Sequence, residues 1–146
     1  MSKIVCREFR SDDLADVVKL EVVCFGREEM WSTWQFKILL AEGARAFVIG
    51  KPVRAALWLR PMPRQYLEVE NVATLPKYQR KGYARKLLEK AIGFAQEQQK
   101  RGLTLCVRVS NAVAIRLYES LGFKKIRRKA RYYGRKDAWR MRRRFE

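Results

Sequence analysis

The feature that most limits the fold is a strand–helix–strand unit in mid-chain. Tyr66 to Thr74 reads as a strand. Leu87, Leu88, Ala91 and Ile92 then recur at helical spacing, and Leu103 to Val109 returns to strand composition. Two strands joined by a helical connection favour a parallel crossover in one sheet, while the hairpins favour antiparallel neighbours. Leu75-Pro76 leads into the helix, which is expected to run to about Arg101 and to stop at Gly102.

The flanking pattern is shorter-ranged. Lys3 to Phe9 alternates as a strand, and Ser11-Asp12-Asp13 offers N-cap chemistry to a helix carrying Leu14, Val17, Val18 and Val22. Phe25 to Met30 breaks that pattern and reads as a loop, after which Ser32 can cap a short helix bearing Phe36, Leu39 and Leu40. Ala46 to Ile49 and Ala55 to Leu59 form a hairpin through Gly50-Lys51-Pro52, ended by Pro61 and Pro63. Ala112 to Leu121 is a helix stopped by Gly122, and Lys125 to Tyr133 and Ala138 to Phe145 are the last strands. The order βααβββαβαββ predicts an α/β fold, with a mixed central sheet of about seven strands and about four flanking helices. At 146 residues the chain is expected to be a single domain, 1–146.

Composition removes whole classes of chemistry. The chain contains no histidine, which excludes Ser-His-Asp and Cys-His catalysis and imidazole metal sites. Its three cysteines, Cys6, Cys24 and Cys106, form no Cys-x-x-Cys pair, so neither a disulfide framework nor a zinc site is expected. Reduced thiols in a cytoplasmic protein are the expectation, and no metal. No apolar run approaches the ~18 residues of a membrane span, and the charged start from Met1 to Arg10 does not resemble a secretory signal.

Lys and Arg number 33 against 15 acidic residues, a net charge of +18. Twelve basic residues against two acidic ones in Lys124 to Glu146 supply +10 of that. Such a stretch attracts polyanions such as RNA, or it is a solvated, charge-rich surface; charge alone leaves both open.

One segment is suited to holding a diphosphate. Gln79-Arg80-Lys81-Gly82-Tyr83-Ala84-Arg85 lies between a strand and the start of the long helix. Unpaired amides and the positive end of the helix dipole favour an anion there. Gly82 and Ala84 leave room for phosphate to approach, while Arg80, Lys81 and Arg85 add charge. The competing reading is a tight turn at Gly82 with its cations facing solvent.

Gln79, Gly82 and Ala84 meet the pattern Gln/Arg-x-x-Gly-x-Gly/Ala, which resembles the acetyl-coenzyme A signature of the GNAT superfamily of N-acetyltransferases. Val107-Arg108-Val109-Ser110-Asn111, Ala114 and Leu117-Tyr118-Glu119-Ser120-Leu121-Gly122-Phe123 resemble the acceptor-side half of the bacterial ribosomal-protein N-terminal alanine acetyltransferases. Asn71-Val72-Ala73, Trp31-Ser32, Tyr132-Tyr133-Gly134 and Asp137-Ala138 extend the likeness over nearly the whole chain. Archaeal and eukaryotic protein N-terminal acetyltransferases share the Tyr-Tyr-Gly feature.

The resemblance implies acetyl-coenzyme A as cofactor and acetyl transfer to a primary amine. It implies a GNAT-like sheet splayed at a bulge, where Val72, Ala73 and Thr74 pair with pantetheine and a backbone N–H near Val72 polarises the thioester. Amides from Arg80 to Arg85 hold the pyrophosphate, and Asn111 binds the coenzyme arm. Tyr118 matches the family's general acid; a phenol of unperturbed pKa ~10 stays protonated at neutral pH and can supply a departing thiolate with its proton. Read without the resemblance, Tyr118 is a buried tyrosine beside Leu117 and Leu121.

The chain departs from the family where the ribosomal enzymes carry a glutamate base, because Cys106 stands there. Glu70 is the replacement to test, with water and Cys106 as the other candidates and an ordinary strand polar residue as the competing reading. The Phe25 to Ser32 loop, with Phe25, Glu29 and Trp31, and the tyrosines Tyr132 and Tyr133 are expected to contact the acceptor; Glu28 would join Glu29 in attracting its ammonium, and the two tyrosines otherwise pack at a strand end. An α-amine of pKa ~7.7–8.0 is roughly a fifth to a third neutral at pH ~7.4, whereas a lysine of pKa ~10.4 is neutral about once in a thousand. The gap of roughly 3 kcal/mol makes a protein N-terminus the acceptor best matched to a weakened base. Lysine and small-molecule amines remain alternatives, as does an inactive transferase fold serving as a basic RNA- or ribosome-binding module.

Overall fold

The computed structural model describes residues 4–29, 32–133 and 136–146, the side chains of 27–29 and 132–133 excepted. The elements follow the expected order: β1 (Cys6–Glu8), α1 (Leu14–Glu29), α2 (Thr33–Ala41), β2 (Arg45–Ile49), β3 (Ala55–Met62), β4 (Tyr66–Thr74), α3 (Tyr83–Glu97), β5 (Gly102–Arg108), α4 (Ala112–Ser120), β6 (Lys124–Tyr133) and β7 (Lys136–Arg144). The strands form a seven-stranded sheet in the order β1-β2-β3-β4-β5-β7-β6. The β4–β5 pair joined by α3 is parallel, while the β1–β2, β2–β3, β5–β7 and β6–β7 pairs are antiparallel.

The chain falls into two compact units, Met1–Arg60 with Asn71–Ala91, and Pro61–Glu70 with Ile92–Glu146. In the first, Val17, Leu20, Phe36, Val48, Ala56 and Trp58 belong to the core. The Trp58 ring lies 4.8 Å from that of Phe36 and 5.1 Å from that of Phe9. Ser32 caps α2 as its sequence suggests, accepting from the Gln35 amide at 3.2 Å while Gln35 Oε1 accepts from the Ser32 amide at 2.7 Å. The start of α1 differs from expectation. Ser11–Asp13 is a 3-10 turn, and Asp13 anchors the entry by accepting from the Arg10 amide at 2.8 Å and from both Nη atoms of Arg7 at 2.8 Å.

Three further boundaries differ for physical reasons. Helical geometry resumes after Gly26, so the loop expected from Phe25 to Met30 is, up to Glu29, a kink at Gly26 within Leu14–Glu29, and Met30 lies outside the described residues. Pro61 does not end β3, which runs on to Met62. The β2–β3 ladder reaches only Arg45↔Leu59, so the missing N–H of Pro61 falls outside it. The long helix stops at Glu97, and Gln99, with φ of 57°, makes the left-handed turn that Gly102 was expected to supply. Gly102 instead opens β5, where a Cβ would lie 2.1 Å from the Arg143 carbonyl oxygen of β7. Its lack of a side chain lets β5 and β7 approach.

Candidate active site

The passage from β4 to α3 belongs to the first unit. The Thr74 carbonyl accepts from Gln79 Nε2 at 3.1 Å and from the Cys24 thiol at 3.3 Å, and the Leu75 amide donates to the Arg54 carbonyl at 2.9 Å. After a 3-10 turn over Pro76–Tyr78, Arg80 and Gly82 both take left-handed φ, 63° and 83°. The first helical hydrogen bond runs from the Lys86 amide to the Gly82 carbonyl at 3.0 Å, so the amides of the opening turn lie ahead of the intrahelical ladder. Nothing stands within 4 Å of where a Gly82 Cβ would be. Glycine is needed there for its backbone angle, and the surroundings are open. Left-handed residues beside a helix start can turn successive N–H groups into a concave anion cradle, with the exposed Arg80, Lys81 and Arg85 as its cations. These residues fit a diphosphate.

The side chain of Tyr83 has a part that its motif position does not give. Its side chain is buried, its hydroxyl accepts from Arg54 Nη1 at 3.3 Å, and its ring stacks 6.0 Å from that of Tyr78. Arg54 also lies over Tyr78, 4.5 Å from the ring centroid. Arg54 therefore ties the residue after the β2–β3 turn to the cradle. Sequence reading missed it, since its partners lie more than twenty residues away.

In the second unit, β4 and β5 pair only from Tyr66↔Gly102 to Glu68↔Thr104 among the described residues, although the strands continue to Thr74 and Arg108. This fits the expected splay. Glu70, half-buried, follows the last ladder pair by two residues. Glu68 is 5% exposed; its carboxylate accepts from the Thr104 hydroxyl and, at 2.9 Å, from Arg140 Nη1. The same Arg140 nitrogen donates to Cys106 Sγ at 3.4 Å. The thiol standing where the resemblance expects glutamate thus shares a guanidinium with Glu68, a residue that sequence reading passed over. The available signal was weak: Glu68 alternates with Glu70 on one strand, and nothing local separates the two.

Tyr118 lies in the last turn of α4, half-buried, its ring 5.9 Å from Phe123 at 61°. Gly122, with φ of 89°, lets the Phe123 amide donate to the Tyr118 carbonyl and the Gly122 amide to the Glu119 carbonyl, both at 3.0 Å. This is the Schellman pattern with its apolar contact, so Leu121-Gly122-Phe123 fixes the phenol as well as ending the helix. At the other end, Asn111 caps α4, its side-chain oxygen accepting from the Ala114 amide at 3.2 Å. Its amide nitrogen is left as the donor for any ligand.

Of the acceptor-side residues, Phe25 is 36% exposed beside the Gly26 kink. Trp31, and the side chains of Glu28, Glu29, Tyr132 and Tyr133, lie outside the described residues. Trp34 is 70% exposed on the first turn of α2, off the face that buries Phe36, and was not singled out from sequence. In the β6–β7 hairpin, Asp137 accepts from the Arg131 amide at 3.1 Å and Arg128 Nε at 2.9 Å, which together hold its carboxyl below the usual range.

The acetyltransferase (GNAT) family model matches residues 8–123, so the chain belongs to that family, whose members take the acetyl group from acetyl-coenzyme A. Among its relatives, the [ribosomal protein bS18]-alanine N-acetyltransferase of Escherichia coli (strain K12) is 51% identical across 47% of this chain and 49% of its own. The chain thus spans about half the length of that curated relative. N-alpha-acetyltransferase RimI of Mycobacterium tuberculosis is 33% identical over 90% of this chain and 86% of its own. The crystal structure of the ribosomal-protein-S18-alanine N-acetyltransferase from Escherichia coli aligns with a TM-score of 0.87 at 29% identity, covering 97% of this chain and 94% of that one. Among the described residues no helix is long and apolar enough to cross a membrane.

Proposed function

We propose that residues 1–146 form one N-acetyltransferase domain that moves the acetyl group of acetyl-coenzyme A onto the N-terminal α-amine of a protein, a ribosomal protein being the expected acceptor and the cytoplasm the expected compartment. The observation that carries this reading is the helix start at Gly82, where left-handed backbone, open space and three cations meet. When bound, the coenzyme supplies an activated thioester. The amides of Arg80 to Arg85 bind its diphosphate, Gln79 steadies the cradle through the Thr74 carbonyl, and Val72, Ala73 and Thr74 pair with the pantetheine arm together with Asn111. Tyr118 gives its phenolic proton to the leaving sulfur, and Glu70 accepts the amine's proton directly or through water. Phe25, Glu29, Trp31, Tyr132 and Tyr133 contact the acceptor, with Trp34 added to that set. The basic 124–146 stretch supplies charge for association with an RNA-containing assembly such as the ribosome.

An acceptor of pKa ~8 needs little help to deprotonate, which suits a site with cysteine at the usual glutamate position. Labelled acetyl-coenzyme A offered with peptides bearing free or blocked N-termini tests the reading; the free-N-terminus peptides alone should take up label, and label confined to internal lysines overturns the acceptor class. Tyr118→Phe should cut kcat on the order of a hundredfold with coenzyme affinity nearly unchanged, and unaltered turnover removes Tyr118 from the reaction. Glu70→Gln tests the base by its pH–rate profile. Loss of transfer in a folded Cys106→Ala would point instead to an acetyl-cysteine route.

A further inference from the structure

The second unit carries a basic cavity to which acetyl transfer assigns no role. It measures about 170 Å³, and its lining includes Arg64, Tyr66, Thr104, Ile126, Arg140 and Arg142. The Arg142 guanidinium lies 5.8 Å from the centroid of the Tyr66 ring, so a cation and an aromatic face are presented together. Ile126 beside them is 43% exposed. Arg64 and Gln65 both hold left-handed φ, 63° and 69°, an unfavourable conformation outside glycine that tends to cluster at binding sites. The Gln65 carbonyl accepting from the Arg101 amide at 2.7 Å holds this turn in place.

The arrangement of charge is an independent observation. Across the β6–β7 ladder Lys124 stands opposite Arg142, and Arg127 opposite Arg140. Like charges directly opposite one another weaken an antiparallel pair, and a ladder built for stability alone would place a carboxylate in each. Glu68 neutralises Arg140. Among the described residues no ion pair involves Lys124, Arg127 or Arg142. Arg140 and Arg142 are alternate residues, about 7 Å apart at a strand rise of ~3.4 Å, and Lys124 and Arg127 face them across a register shift, a cluster of cations suited to a polyanion.

The geometry points to this face as a docking site for single-stranded RNA, its phosphates on Lys124, Arg127, Arg142 and Arg64 and a base stacked on Tyr66. The choice of RNA deepens the ribosomal-acceptor reading above and rests on it, because an enzyme acting on that acceptor works beside RNA. The ring adds to the case, since an acidic polypeptide would make no use of a stacking platform.

Anisotropy of a labelled oligouridine of about ten nucleotides, titrated over a range of salt, tests the site. Affinity should fall linearly with salt on logarithmic axes. The triple variant Lys124→Gln, Arg127→Gln, Arg142→Gln should lose about tenfold or more in affinity and about 2 in slope. Tyr66→Ala should weaken binding roughly fivefold or more at unchanged slope. Both proteins should keep acetylating a free peptide, and the triple variant should melt no lower than the parent, because it removes repulsion. RNA affinity untouched by these substitutions overturns the site. So does polyglutamate or single-stranded DNA binding as tightly as RNA with the same sensitivity to Tyr66→Ala. RNA binding through these residues without any peptide acetylation would remove the acceptor reading and leave the docking face; acetylation without RNA binding would do the reverse.

Discussion

Two charge-dense regions of this protein use the same residue types to opposite ends. Around Asp13, whose carboxylate is fully buried, the cations converge: Arg7 at 2.8 Å through two nitrogens and Lys51 at 3.2 Å, with the Arg10 amide at 2.8 Å. Along β6 and β7 cations face cations, Lys124 against Arg142 and Arg127 against Arg140. A net charge of +18 therefore says little about where charge stabilises. In the first region one buried acid accepts from four donors, and removing it leaves Arg7 and Lys51 without their shared partner. In the second, Glu68 answers Arg140, while among the described residues no ion pair joins the facing Lys124 and Arg142 to an acid.

Asp13→Asn should have the largest effect. It leaves Arg7 without its charge partner and should cost roughly 3 kcal/mol or more, read as a lower urea midpoint and a melting temperature lower by about 10 °C. A loss near zero would mean the convergence is ornamental. The pH dependence follows from the same group. The Arg7 guanidinium, with help from the Arg10 amide and Lys51, holds the Asp13 carboxyl far below the usual carboxylate range. A depressed native pKa contributes stability that is full above the unfolded value of ~3.9 and lost as pH falls below it toward the native one. Denaturant midpoints should thus decline in acid below about pH 4, and Asp13→Asn should flatten that decline.

Lys51→Ala removes a half-exposed member of the same cluster and should cost less, on the order of 0.5–1 kcal/mol, because water screens an exposed pair. In the other region the sign should reverse. Lys124→Glu, set opposite Arg142, should raise stability by a few tenths of a kcal/mol in urea unfolding while weakening oligouridine binding. A fall in stability there would break the contrast between the regions.

The fold was legible wherever short-range chemistry decides it. The Tyr66–Thr74 strand, the Ser32 cap and the Gly122 helix stop follow from neighbours within four or five residues. The site was legible to the extent that its chemistry is a local motif, as at Gln79 to Arg85. It was illegible at Glu68 and Arg54, whose partners are brought from distant sequence: Arg140 and Tyr83. Gly102 shows the difference at one residue. Read locally it is a helix stop, yet its need for no side chain comes from the Arg143 carbonyl, forty-one positions further along the chain.

From its residues alone this protein could be read as an α/β chain with a parallel strand–helix–strand unit and a helix start suited to an anion, because periodicity, caps and turn residues act over a single turn or pleat. Only the folded molecule decided which acid is buried against which cation, where β4 leaves β5, and that β6 and β7 oppose like charges. Those outcomes depend on strand register and on which side chains share a face, and register is set when distant strands pair and pack, not by the composition of either strand.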